Sequence, residues 1–193
     1  MVTKNTFKLP EVIVFAGPNG SGKSTYTEPR WIIEPYINAD NIKVENQLSD
    51  IDAAKYAEQL RENSVDSMMS FSFETVLSTE RNLILLERAK EKGFFVRGYY
   101  IFTRNPAINI ARVRSRVTEG GHDVPEDKII KRYWRSRQLI PRFYSVCDIL
   151  HIYDNSADQS PVRLVRKHKQ DTRIFPNEYW STDQLLEIIG LNQ

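Results

Sequence analysis

Residues 17–25, GPNGSGKST, constrain the fold of this chain more than any other feature of its sequence. They fit the pattern G-x-x-x-x-G-K-[ST] and directly follow the apolar run Glu11–Gly17 (EVIVFAG), which predicts a buried parallel strand. A helix is expected after the glycines. Because a phosphate-binding loop requires this order of strand, glycine-rich turn and helix, the pattern predicts such a loop, with a nucleoside triphosphate as its ligand.

The residues of this phosphate loop suit that ligand for physical reasons. Glycines let the backbone turn its N–H groups inward around phosphate oxygens, and the positive N-terminal end of the helix points at the same anion. We expect Lys23 to reach the β- and γ-phosphates and the Ser24 hydroxyl to take one position around Mg²⁺. The predicted nucleotide-binding residues are Gly17, Pro18, Asn19, Gly20, Ser21, Gly22, Lys23, Ser24 and Thr25.

The length and composition of the chain are typical of one α/β domain. Its 193 residues are 40% hydrophobic and 27% charged, which excludes disordered, collagen-like and solenoid proteins. No run approaches the roughly 18 apolar residues of a membrane span, and residues 1–5 (MVTKN) lack the apolar core of a signal peptide. We therefore expect one domain over residues 1–193, a cytoplasmic location and no membrane partner. Cys147, the only cysteine, is expected to be a buried thiol.

Strand-like and helical segments alternate along the chain. The predicted strands are 11–17, 35–40, 69–73, 94–102 and 148–153, with a hairpin over 162–175. The predicted helices follow the phosphate loop and cover 51–69, 79–93 with Ser78 as cap, 106–117 with Asn105 as cap, 123–142 and 182–191. This alternation predicts an α/β P-loop fold with a mainly parallel sheet and helices on both of its faces.

Two acids follow predicted strands and are candidates for chemistry at the phosphates. Asp40 ends the segment 35–40, and Glu74 follows the segment 69–73. In an open parallel sheet the ligand lies outside the carboxyl ends of the strands, so both side chains should face the nucleotide. A carboxylate there suits a general base that accepts a hydroxyl proton, or a water-mediated contact to Mg²⁺. A helix cap or a solvated acid is the structural alternative for each.

A third acid, Asp154, bears on the class of enzyme. Motor-type NTPases carry an apolar strand that ends in an acid, but the strand 94–102 is followed by Thr103. Asp154 is the only comparable acid, and Asn155 and Ser156 after it are typical of a turn. The short chain and the missing acid favour a small phosphotransferase over a motor.

Positive charge is concentrated between residues 104 and 142. This segment has ten Lys and Arg residues against four Asp and Glu residues, while the whole chain has a net charge of +2. A solvated helix face is one explanation. An arginine-bearing helical lid that closes over the phosphates, with a hinge at Gly120 and Gly121, is the other. The candidate lid residues are Arg112, Arg116, Lys128, Arg132 and Arg135.

Several of these segments, taken in order, resemble the zeta-toxin family of P-loop kinases. The matching pieces are GPNGSGKST at 17–25, INAD at 37–40, FSFETVLS at 71–78, RVTEGGHDVPEDKIIKRYWRSR at 116–137 and YDNS at 153–156. The chain is most similar to the compact chromosomal members of that family. The resemblance implies a kinase that uses ATP and Mg²⁺ to phosphorylate a sugar hydroxyl of a UDP-activated amino sugar such as UDP-N-acetylglucosamine. It also implies an antitoxin protein as a candidate partner.

The resemblance also suggests roles for individual residues. Lys23 and Ser24 would hold phosphate and metal, and Asp40 would be the base that deprotonates the acceptor hydroxyl. Glu74 and Thr75 would lie in the acceptor site. The phosphate-stabilising region of the family corresponds to Arg116, Arg132 and Arg135.

Two other functions are compatible with the sequence. A polynucleotide kinase could hold a phosphate backbone with the basic stretch 162–169, although an exposed hairpin face is favoured for this stretch. The small net charge gives no general expectation of nucleic acid binding. A non-enzymatic ATP-binding module could close its lid for a partner protein.

Three further residues have a structural interpretation that is favoured over a functional one. For His122 a role in the loop is favoured over contact with the substrate. For Tyr133 and Trp134 a position in the core is favoured over stacking on a base.

Overall fold

A computed structural model describes residues 9–27, 32–157 and 160–191 of the chain. The strands are β1 (Glu11–Ala16), β2 (Tyr36–Ile37), β3 (Phe71–Thr75), β4 (Phe95–Phe102), β5 (Ile149–Asp154), β6 (Val162–His168) and β7 (Asp171–Ile174). The helices are α1 (Lys23–Tyr26), α2 (Ala39–Asn46), α3 (Asp50–Asp66), α4 (Arg81–Glu91), α5 (Pro106–Thr118), α6 (Glu126–Gln138), α7 (Ile140–Val146) and α8 (Thr182–Ile188).

The strands form one sheet in the order β2-β3-β1-β4-β5-β6-β7. The pairings from β2 to β5 are parallel, and β6 and β7 add an antiparallel hairpin at one edge. This arrangement confirms the predicted mainly parallel sheet and the predicted hairpin. Because β1 lies between β3 and β4 and runs parallel to both, the loop that follows β1 opens at the same edge where β3 ends.

Side chains of the central strands β1, β4 and β5 point alternately into two apolar layers, one on each face of the sheet. Val12 and Val14 of β1 are fully buried in the larger layer, to which Ala57 of α3 and Leu83 of α4 also belong. On the opposite face, Phe15 belongs to a smaller layer built mainly of aromatic side chains. Complete burial of one such aliphatic or aromatic side chain contributes about 1.5–3 kcal/mol to folding.

The two helices of the predicted lid have a small core of their own, made by Val113, Val124 and Ile129. The break at Gly120 and Gly121 is confirmed, since α5 ends at Thr118 and α6 begins at Glu126. The apolar core of the lid is therefore separate from the two apolar layers that cover the sheet.

The predicted strand over 35–40 is wrong beyond Ile37. Asn38 has extended backbone, and its side-chain oxygen accepts a hydrogen bond from the Asp40 N–H at 2.9 Å, so it caps the N-terminus of α2. Asparagine favours this position because its side chain satisfies an N–H group that has no partner within the helix. Asp40 consequently lies in the first turn of a helix and not at the end of a strand.

Two predicted helix boundaries also differ from the structure. The segment 123–142 contains two helices that meet at Leu139, because Pro141, at the start of α7, has no N–H to continue the hydrogen-bond ladder of α6. The expected cap of α4 at Ser78 is wrong, since Glu80 occupies the cap position without a capping side-chain bond. Asn105 caps α5 as predicted.

The burial of single side chains agrees with the sequence-based prediction at Cys147 and Tyr133 and differs from it at Trp134. Cys147 is buried, and burial raises the pKa of its thiol. Tyr133 is fully buried as expected, whereas the prediction for Trp134 is wrong because 49% of it is exposed on the outer side of α6. None of the helices within 9–27, 32–157 and 160–191 is long and apolar enough to cross a lipid bilayer.

Candidate active site

A cleft of about 580 Å³ lies between the phosphate loop, the start of α2 and the two lid helices. It brings together twelve of the residues that the sequence predicts for the site and the lid, from five separate stretches of the chain. These are Asn19, Gly20, Gly22, Lys23, Ser24, Thr25, Asp40, Glu74, Thr75, Arg112, Arg116 and Arg132. Gly17, Pro18 and Ser21 complete the loop but do not line the cleft.

The phosphate loop is braced from behind by two asparagines. The Asn155 side-chain amide donates to the Ser21 carbonyl oxygen at 2.8 Å, and the Asn109 amide donates to the Asn19 carbonyl oxygen at 2.6 Å. Gly22 has a positive φ of 89°, and a Cβ atom there would lie 2.3 Å from Asn155 Nδ2. Both bonds fix the loop backbone in the conformation needed to surround an anion.

Lys23 crosses this loop, and its ammonium group donates to the Pro18 carbonyl oxygen at 3.0 Å. Burial lowers the pKa of Lys23 to about 8, while the charges of Glu74 and Asp40 raise it and that of Arg116 lowers it further. The lysine, both acids and the lid arginine therefore interact electrostatically within one site.

Glu74, at the end of β3, accepts hydrogen bonds from three hydroxyl groups. Its Oε2 accepts from Ser24 Oγ at 3.0 Å, and its Oε1 accepts from Thr27 Oγ1 at 3.0 Å and from Tyr36 OH at 2.5 Å. Burial and the contact with Glu74 raise the pKa of Tyr36. The Ser24 hydroxyl and the Glu74 carboxylate thus form a pair of oxygen donors at the phosphate loop, the chemistry that Mg²⁺ prefers.

Asp40 is exposed at the cleft wall opposite the loop, in the first turn of α2. Its position follows from the Asn38 cap, whose amide in turn donates to Tyr36 OH at 3.3 Å. The same wall carries an ion pair between Lys43 and Asp50 at 2.6 Å, which lowers the pKa of Asp50. Asp40 takes part in no such pair among the described residues, so its carboxylate is free to accept a proton from a substrate.

The lid arginines reach the cleft to different extents. Arg132 donates to the Asn19 side-chain oxygen at 3.3 Å, which connects α6 directly to the phosphate loop. Arg116 also lines the cleft and donates to the His122 carbonyl oxygen at 2.7 Å. Arg112 donates to the Asn155 carbonyl oxygen at 2.7 Å. Arg135 is exposed one turn beyond Arg132 and does not line the cleft, so the structure does not bring it to the loop.

Some structurally important residues were not singled out by the sequence patterns. Asn109 is fully buried four residues before Val113 on the inner stripe of α5, and a buried amide on such a stripe requires a partner. That signal could have identified its contact with the loop.

Asp154 accepts hydrogen bonds from Trp180 Nε1 and the Ser156 N–H, both at 2.8 Å. The bond from Ser156 is the one expected of a residue that begins a turn.

Comparison with known proteins gives one clear relative and several similar folds. No family model matches the chain. An uncharacterised protein of Haemophilus influenzae is 34% identical over 140 residues, which are 69% of this chain and all of that protein. Among solved structures, the PezAT chromosomal toxin-antitoxin system of Streptococcus pneumoniae matches with a TM-score of 0.60 at 20% identity, over 99% of this chain and 82% of that one.

The crystal structure of the AvrRxo1-ORF1:-ORF2 complex matches with a TM-score of 0.69 at 15% identity, over 93% of this chain and 63% of that one. The same complex with ATP matches with a TM-score of 0.65 at 17% identity, over 87% and 61% of the two chains. This chain thus spans less than two thirds of the AvrRxo1 chain. The chain belongs to the family of the Haemophilus influenzae protein, and it has the P-loop kinase-like fold that the zeta-toxin resemblance predicts.

Proposed function

We propose that the protein is a kinase that transfers the γ-phosphoryl group of ATP to a hydroxyl group of a small molecule. The observation that supports this proposal best is the position of Asp40, an exposed carboxylate that faces Lys23 and the phosphate loop across one cleft. A loop that only binds nucleotide needs no such group. A kinase needs a base beside the acceptor hydroxyl.

In this proposal the cationic side chains and the carboxylate of Asp40 have different tasks. Lys23, Arg116 and Arg132 neutralise charge on the transferring phosphoryl group, as cations do in P-loop enzymes. Asp40 accepts the proton of the acceptor hydroxyl. The oxygen of that hydroxyl forms a new bond to the γ-phosphorus, the bond between this phosphorus and the β-phosphate oxygen breaks, and ADP leaves. A well-placed base contributes about 10²–10⁴ to the rate of such a step.

The donor side of the site suits ATP together with Mg²⁺. Ser24 and Glu74 are the residues that would hold the metal ion, which neutralises phosphate charge when bound. The Ser24 hydroxyl would turn from Glu74 toward the nucleotide. A similar fold solved with ATP supports the choice of nucleotide.

For the acceptor we propose a UDP-activated amino sugar such as UDP-N-acetylglucosamine, bound with the help of Glu74 and Thr75. The support is the zeta-toxin resemblance together with the fold shared with a toxin-antitoxin system. The same likeness supports an antitoxin protein as a partner. We also propose that the chain acts as a single cytoplasmic domain in which the segment 104–142 is the lid.

An assay of ADP production tests this function. Purified protein is incubated with Mg²⁺ and ATP, alone and with a panel of UDP-sugars, other sugar nucleotides and short RNA oligonucleotides. We expect turnover that depends on a UDP-sugar and is lost in Asp40→Asn, while the ATP affinity of that variant stays unchanged. ATP binding with no acceptor-dependent turnover on any of these compounds would contradict the kinase proposal and favour a binding module.

The RNA arm of the same assay decides between the two enzymatic alternatives. A polynucleotide kinase would bind RNA with an affinity that falls steeply as the salt concentration rises, because phosphate contacts release counterions. We expect RNA neither to stimulate turnover nor to bind in this way. RNA-dependent turnover that is sensitive to Arg163→Ala in the basic hairpin would replace the sugar proposal.

A further inference from the structure

A second cavity of about 670 Å³ adjoins the cleft and lies between α3, the start of α4 and the lid. The two spaces share five lining residues, which are Asp50, Ala54, His122, Val124 and Arg132. The second cavity is rich in positive charge, because five cationic side chains and three carboxylates line it. The cations are Lys55, Arg61, Arg81, Lys128 and Arg132.

Arg61 has the most unusual environment of these cations. It is only 8% exposed, and its Nε is buried without a hydrogen-bond partner. The central carbon of its guanidinium group lies 5.3 Å from the centre of the fully buried Phe73 ring, a contact that satisfies none of the N–H donors of the group. Burial lowers the pKa of Arg61. A buried guanidinium without a bonded acceptor is costly in a folded protein.

The nearest acids do not compensate this charge directly. Glu58 is paired with Arg81 at 2.8 Å, and Glu62 is paired with Arg88. Within the described residues, no carboxylate lies within ion-pair distance of Arg61, although the fields of Glu58 and Glu62 still reach it. The donors of Arg61 are therefore available to an anion that enters the cavity.

We propose that this cavity binds a phosphate or diphosphate group of the acceptor substrate, with Arg61 as its main ligand. Arginine suits this task because its planar group offers paired donors that match phosphate oxygens. The proposal rests on the proposed function, since it concerns the acceptor of the same enzyme. It adds where the phosphate groups of such an acceptor would bind and which side chain would recognise them.

The geometry of α3 gives the acceptor a direction. Asp50, Ala54, Glu58 and Arg61 follow one another at helical spacing along the face that lines the two spaces. Arg61 lies eleven positions after Asp50, which corresponds to about 16 Å of helix. An acceptor that occupies both spaces would thus run along α3, with its phosphate at Arg61.

A binding experiment tests this site without catalysis. The full-length protein is first saturated with Mg²⁺ and a non-hydrolysable ATP analogue, which fills the phosphate loop. Inorganic phosphate, UDP and uridine are then titrated in separate calorimetric experiments. We expect at least one of the two phosphate-bearing probes to bind at a further site, at least tenfold more weakly in Arg61→Gln, and we expect no binding of uridine.

Two further variants control this experiment. Arg173→Gln removes an exposed arginine of β7 that lines neither space, and we expect it to bind both probes as the wild type does. Arg61→Lys keeps the charge without the paired donors, and we expect intermediate affinity. Because Arg61 has no bonded partner, the urea midpoint of Arg61→Gln should equal or exceed that of the wild type, whereas a purely structural role would lower it.

The outcomes separate this proposal from the kinase function. Binding that depends on Arg61 supports the anion site even if no acceptor is turned over. Failure of both probes to bind beside the ATP analogue, or equal binding by Arg61→Gln, overturns the anion site even if the kinase assay succeeds. Uridine binding with the same affinity as UDP overturns it as well.

Discussion

Replacing Gly22 by alanine tests how the phosphate loop is held in place. Gly22 has a φ of 89°, and an added Cβ would lie 2.3 Å from Asn155 Nδ2, the atom that donates to the Ser21 carbonyl oxygen. Gly93 provides a matched control, because its φ is 93° and nothing lies within 4 Å of the Cβ position. The two substitutions therefore share a backbone cost and differ in one contact.

The expected losses of unfolding free energy follow from the backbone cost and from the contact with Asn155. A non-glycine residue in the left-handed region costs about 1–2 kcal/mol, and this is the expected loss of unfolding free energy for Gly93→Ala. Gly22→Ala also displaces the Asn155 amide and its hydrogen bond, which adds about 0.5–1.5 kcal/mol. We expect a total of about 1.5–3.5 kcal/mol for Gly22→Ala.

Urea unfolding of both variants and calorimetric titration with Mg²⁺ and ATP measure the difference. Gly22→Ala should also weaken ATP binding, whereas Gly93→Ala should not. In an Asn155→Ala background, the extra destabilisation by Gly22→Ala should vanish, since the clash is gone. Equal costs for the two glycine variants, or an excess that persists without Asn155, would refute the role assigned to this brace.

Three further outcomes are expected. The affinity of the wild type for Mg²⁺ and ATP should fall as the pH rises past about 8, because Lys23 loses its charge there, whereas the affinity of Lys23→Met should not change. Between pH 8 and 10.5 the unfolding free energy of the wild type should rise with pH, because Lys23 stays protonated in the unfolded chain. Arg132→Ala should lower the transfer rate by about 10³ or more, measured as single-turnover ADP formation, and Arg135→Ala should cost less. Trp180→Phe, which removes the bond to Asp154, should lower the unfolding free energy in urea by about 1–3 kcal/mol.

The parts of the fold that depend on local sequence were predictable. The phosphate loop is one continuous motif, and the alternation of apolar strands with amphipathic helices determines a parallel sheet. The sequence predicts that Asp40 lies in the cleft beside the phosphate loop, which it does, but it predicts the end of a strand where the structure has the first turn of α2. The strand β2 contains only Tyr36 and Ile37, and the capping hydrogen bond of Asn38 then begins the helix α2.

The contacts that shape the site were harder to predict because they join distant parts of the chain. Asn155 is 134 residues from the Ser21 carbonyl that it holds, and nothing near either residue indicates the other. Arg61 lies in a helix with many charged residues, where a solvated arginine and a buried one have the same local pattern. Only the packing of α3 against Phe73 and the lid distinguishes the two.

Mass analysis of the acceptor tests the central proposal most directly. UDP-N-acetylglucosamine is incubated with Mg²⁺, ATP and either the wild-type protein or Asp40→Asn, and the nucleotide sugar is then recovered. The proposal predicts that the wild type adds one phosphoryl group to the sugar nucleotide and that the variant, with ATP still bound, adds none at a measurable rate. Release of ADP together with free phosphate and an unmodified acceptor, or equal transfer by Asp40→Asn, would contradict it.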